Sequence, residues 1–279
     1  MPQILETGVL ATSFQYFYLS PKKYRNKYKH NVCMVFKVKS QEDILVLLEN
    51  IHHKKSSLNV PNIFFEHFYE GNKYGLLDDY LIEYKMELSS LIKNIIAEEN
   101  DFDTTKALDI FFSLCFCAKD SLEINHNEFQ KINSIIGQKW LFTKAEQDKV
   151  ENYPTLIPLR NNNMQRANNF YTNYLPNLMH LELFESLNYT IKKSELNKCS
   201  AAIKRIASEK NNSLIDNNDI TFRMLSALKF DNPTRIVLYK LIIEATLLVT
   251  NLSDTDKFNA LYTCSKAISE LNMIGKVQV

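Results

Sequence analysis

The stretch His126-Asn127-Glu128-Phe129-Gln130-Lys131-Ile132-Asn133-Ser134-Ile135-Ile136 decides how this chain is read. It is polar at its start, ends in an aliphatic pair and follows an amphipathic stretch, so by its residues alone it reads as a polar loop after a helix. The segment before it, Thr104–Ile124, places Leu108, Phe111, Phe112, Cys115, Ala118 and Leu122 on one stripe, the mark of a core-facing helix. Beyond it, Gln138–Tyr153 and Arg160–Ala167 read as loops, with the aliphatic run of Tyr153–Arg160 between them.

The rest of the second half reads as helix. Ser194–Lys210 spaces Leu196, Cys199, Ile203 and Ile206 on one face, and Asp219 caps a segment running to Phe230. Asn232-Pro233 is a cap followed by a first-turn proline. Asp254 starts a last helix that turns Phe258, Leu261, Cys264, Ile268 and Leu271 inward. The first third is different. Val9–Leu19, Asn31–Val38, Ile63–Tyr69 and Leu76–Tyr84 read as strands, with a helix over Glu42–Ile51 after the second. The expected fold class is therefore α+β, with a small sheet-containing lobe over residues 1–87 and a helical lobe over residues 88–279. The alternative is a mostly α-helical bundle.

The chain has 279 residues, 45% of them hydrophobic and 23% charged, an ordinary globular balance that excludes a wholly disordered chain. Its 33 basic and 32 acidic residues leave a net charge of +1, so no bulk charge recruits nucleic acid. Only 5 residues are glycine, which disfavours a fold built on several glycine-rich loops. The most apolar stretch, Ile236–Leu252, carries Lys240 and Glu244 and is expected to be a buried core helix rather than a membrane span. No secretory signal is visible at Met1–Leu10. The five cysteines, Cys33, Cys115, Cys117, Cys199 and Cys264, form no CxxC pair, against a disulfide framework or a structural zinc. An intracellular, cytoplasmic location is the expectation, and the bias toward Asn, Lys and Ile is compatible with an effector delivered into a host cell.

His126, Glu128 and Asn133 also resemble the catalytic loop of protein kinases, in which a His, a carboxylate and an Asn recur at this spacing. The resemblance implies that Glu128 accepts the substrate hydroxyl proton and that Asn133 holds a metal ion. Met34-Val35-Phe36-Lys37 is similar to the strand whose lysine reaches the nucleotide phosphates, which makes Lys37 the implied nucleotide-binding residue, steered by Glu49 on the next helix. Tyr80–Tyr84 is similar to the hinge of that family. The departures are chemical. Pro158-Leu159-Arg160 stands where the family has its magnesium-binding triplet, and Gly8 is a lone glycine where the phosphate loop has three. The resemblance thus implies a degraded, pseudokinase-like protein that has lost phosphotransfer and regulates another protein by binding it, with no metal site and no cofactor. ATP with magnesium enters only if an active, divergent kinase uses Glu128 and Asn133. A third reading is a helical adaptor or effector unrelated to kinases. His52, His53 and His67 lack matched metal-ligand spacing, Cys115 lies on an apolar stripe, and Lys22–Lys29 reads as a solvated basic turn.

Overall fold

The computed structural model describes residues 16–20, 33–37, 42, 45–46, 49, 76–99, 103–142, 146, 156–181, 193–208, 227–250 and 252–277. Seven helices make up the body among these residues: α1 (Leu76–Glu99), α2 (Thr104–Ser121), α3 (His126–Gln138), α4 (Leu156–Leu181), α5 (Lys193–Ser208), α6 (Pro233–Val249) and α7 (Asp254–Val277). The α+β expectation is overturned in favour of the mostly α-helical bundle. No sheet lobe is present among the described residues. Their only extended pairing is one antiparallel ladder of β1 (Tyr16–Ser20) with β2 (Cys33–Lys37), in which Tyr16 faces Lys37. The kinase-like resemblance falls with the sheet lobe. The segment expected to supply its last strand and hinge is the first two turns of α1. The strand expected over Ile63–Tyr69, the helix start at Asp219, the lone Gly8 and the basic turn Lys22–Lys29 lie outside the described residues.

The reason for α1 is a period that a short window hides. Leu77, Leu81, Tyr84, Leu88, Leu91, Ile92 and Ile95 are buried, a spacing of three and four that only a helix places on one face. Asp78 and Asp79 stand in the first turn, where carboxylates suit the helix dipole. The division expected after residue 87 falls in the middle of this helix.

α6 is the central element. Ten of its side chains are buried, from Ile236 to Val249, in agreement with the expected core helix. Asn232 caps it by accepting the Arg235 N–H at 3.2 Å, and Pro233 opens it. α1, α2, α3 and α5 pack against α6, while α7 packs against α3, α4 and α2. Fully buried Phe111, Phe112, Leu114 and Phe129 fill the space between, each contributing about 1.5–3 kcal/mol of burial. Gly137 marks a close approach of α3 to α7, since a Cβ there would sit 3.4 Å from that of Leu261. Among the described residues, no helix is long and apolar enough to cross a membrane.

Candidate functional site

His126, Glu128 and Asn133 lie on helix α3, not on a loop. Asn125 is its N-cap: the side-chain oxygen accepts the Glu128 N–H at 2.9 Å, while the side-chain amide donates to a Glu128 carboxylate oxygen at 2.9 Å. The other Glu128 oxygen accepts the backbone N–H of Asp231 at 2.7 Å. The carboxylate expected to take a substrate proton therefore closes a helix end and pins the turn before α6. Lys131 reinforces the pin by donating to the Leu228 carbonyl and lying 4.5 Å from the Phe230 ring centre. His126 is exposed in the first turn.

Asn133 is fully buried, one turn below Phe129, whose carbonyl accepts its amide N–H at 2.9 Å. Its side-chain oxygen accepts the Tyr239 hydroxyl at 3.0 Å. Cys115 lies 2.9 Å from that hydroxyl, and Cys264 lies 3.5 Å from Cys115. The Tyr239 proton is committed to Asn133, so Cys115 donates to Tyr239 and Cys264 donates to Cys115. One chain of donors thus joins α7, α2, α6 and α3 and satisfies each buried group in turn. Burial pushes both the Tyr239 hydroxyl and the Cys264 thiol well above their ordinary pKa values, so both stay protonated. Such a relay has no water-accessible nucleophile. It stabilises the core and specifies which faces meet. A similar pair fixes α1 on α6: Thr246 gives its hydroxyl proton to the Ile242 carbonyl and accepts that of Tyr84 at 2.7 Å.

The remaining expected residues lie on other elements. Lys37 ends β2, and Glu49 is helical and exposed. Pro158 stands in the first turn of α4, where its missing N–H has no intrahelical partner to lose. The expected loop Arg160–Ala167 is the following part of the same helix, and Asn163 of that loop is buried, donating to the Leu141 carbonyl at 2.9 Å. Among the described residues, no group of three His, Cys, Asp or Glu side chains is placed to hold a metal ion.

What does open to the surface is a cleft of about 390 Å³ between α1, the turn after α3, α6 and the first turn of α7. Leu81, Leu241 and Leu248 give it apolar walls, and Trp140 stands at its side. The Lys257 ammonium lies 4.4 Å from the Trp140 ring centre and that of Lys139 lies 5.1 Å from it. Lys85, Asp78 and Glu244 complete the charged lining. Glu244 accepts from Lys240 at 2.7 Å and from Lys139 at 3.4 Å. An apolar hollow with a few convergent charges is the form in which proteins bind small groups or single side chains of a partner. No protein-family model, curated protein or solved structure matches this chain. Its functional reading therefore rests on this geometry.

Sequence reasoning missed the cleft because it placed Lys139 and Trp140 in a loop with no assigned role. The signal was there in part: Trp140 is the only tryptophan of the chain and stands beside a lysine. The lysine across from it, Lys257, is 117 positions away, and only the packing of α7 against α3 brings it near.

Proposed function

We propose that this protein is a helical adaptor that acts by binding another protein, without phosphotransfer or any nucleotide of its own. The observation that carries the reading is the open, apolar, charge-rimmed cleft beside Trp140. The use of Glu128 as a cap and of Asn133 as a core residue supports it further, because it leaves neither poised for chemistry. The test compares the full chain with its Leu241→Asp variant, which places a charge in the cleft wall. Partner capture from cell extract, quantified by mass spectrometry at a temperature where circular dichroism shows both proteins folded, is expected to lose a defined set of proteins in the variant. Identical captured sets would remove the cleft from the account. Phosphate transfer from labelled ATP by the purified chain would overturn the adaptor reading itself.

A further inference from the structure

We infer that Cys115 and Cys264 are a redox pair, which a peroxide converts into a disulfide that locks the last helix to α2. The inference is independent of the cleft. The two sulfurs lie 3.5 Å apart, one on α2 and the other on α7, and both residues are fully buried. A disulfide needs a sulfur separation of about 2.05 Å, so the pair closes by about 1.5 Å, shared between two side chains. Two thiols that the fold holds in contact meet far more often than two thiols on a flexible chain.

The hydrogen-bond chain tolerates the loss of both thiol protons. Cys264 donates to Cys115 and Cys115 to Tyr239, but the Tyr239 hydroxyl still donates to Asn133 at 3.0 Å. No buried donor of the chain is therefore left without an acceptor, which is the costly case. α7 rests chiefly on α3 and α4 and only lightly on α2. A covalent bond at the pair adds a tie where packing is thin, and it closes a loop of about 150 residues.

Burial keeps the Cys264 thiol protonated in the closed protein. Reaction therefore begins when α7 opens locally and peroxide reaches the pair. An exposed thiol ionises and its sulfur attacks one peroxide oxygen. The O–O bond breaks, the sulfur becomes a sulfenic acid, and the other oxygen leaves as water. On reclosure the second thiol sulfur attacks the first, the S–O bond breaks, and a second water leaves. Two thiols and one peroxide thus give one disulfide and two waters, the sulfurs being oxidised and the peroxide oxygens reduced. Because it waits on opening, the pair records sustained exposure and is no fast sensor.

The full chain is held in millimolar hydrogen peroxide, quenched with catalase, capped with iodoacetamide and digested with trypsin without reductant. Residues 107–119 are expected to be recovered joined to residues 258–266, from material that runs as a single chain in a non-reducing gel. The first peptide also holds Cys117, so Cys117→Ser is expected to keep the link and Cys115→Ser to lose it. The oxidised protein is expected to melt about 5 °C higher than after dithiothreitol, which reduces a disulfide but not methionine sulfoxide. Two unlinked peptides, a link that survives in Cys115→Ser, or a link found only between chains would overturn the inference. So would a melting temperature that dithiothreitol leaves unchanged or raises. Should Cys115→Ser fail to fold, fragmentation of the linked peptides from the unaltered chain assigns the bond to Cys115, as inferred, or to Cys117, against it.

Discussion

Two neighbouring segments, α2 and α3, are separated by a four-residue turn, yet only one is legible as helix at first sight. α2 buries Ala107, Leu108, Ile110, Phe111, Phe112, Leu114, Cys115 and Ala118, a wide apolar face over eighteen residues. α3 has thirteen residues and a much narrower face, made by Phe129, Ile132, Ile136 and Gly137 around one buried amide, Asn133. A long stripe outweighs its polar residues. In a short helix, two or three polar positions outweigh the stripe, and a motif match fills the gap. What separates the two readings of α3 is its cap. Asn125 and Glu128 have the spacing of a capping box, and Phe129, Ile132 and Ile136 follow at helical intervals.

The contrast breaks most directly at Phe129, which stacks on Phe116 at 5.7 Å and meets Tyr239 edge-on at 5.6 Å. Phe129→Ala is expected to cost about 3–5 kcal/mol in urea unfolding, as much as truncating a core aromatic of α2. A loss below about 1 kcal/mol would return residue 129 to a loop. Next comes Asn133→Ala, which removes the acceptor of the buried Tyr239 hydroxyl and is expected to cost about 1–3 kcal/mol. A stable Asn133→Ala protein with changed nucleotide affinity would contradict the structural role.

Smaller effects sharpen the comparison at the helix ends. Asn125→Ala is expected to cost about 0.5–2 kcal/mol through the lost cap, whereas His126→Ala, one residue on and exposed, stays within about 0.5 kcal/mol. Equal effects of the two changes in thermal melts would deny the cap.

The smallest expected effect is on α2 and depends on pH. Burial raises the Asp109 carboxyl above its ordinary pKa, although the hydrogen bond from Tyr174 pulls it down. A carboxyl whose folded pKa is raised contributes stability below its unfolded pKa and loses it as pH rises through the folded pKa. Asp109→Asn keeps an acceptor for Tyr174 and cannot ionise. Its melting temperature relative to the unaltered protein is therefore expected to rise from pH 4 to pH 7. A difference that stays constant over that range would remove Asp109 from the account.

Local signals reached most of the helical half. α2, α5, α6 and the start of α7 follow from apolar spacing and caps that lie within each segment: Leu196, Cys199, Ile203 and Ile206 for α5, Asn232-Pro233 for α6. α1 was misread because Leu76–Tyr84 alone is equally strand-like, and its period emerges only when the window extends to Ile95. The start of α4 was misread because the aliphatic run holding Pro158 is also strand-like and the three successive asparagines after it look like a loop. Proline in a first turn loses no helix bond, and Asn163 turns inward to a carbonyl. The site was less legible than the fold. Glu128 and Asn133 were singled out, but their partners, Asp231 and Tyr239, lie over a hundred positions away. The Trp140 cleft likewise depends on which helices meet, and no local pattern records that.

The central claim is that α1 and α3 are continuous helices of one helical body. Backbone Cα chemical shifts of the labelled full chain test it most directly. The account predicts unbroken helical displacement over residues 76–95 and 126–138, with the cap signature at Asn125. Strand-type shifts over residues 76–84, or coil values from His126 to Asn133 followed by strand values at Ile135 and Ile136, would contradict it.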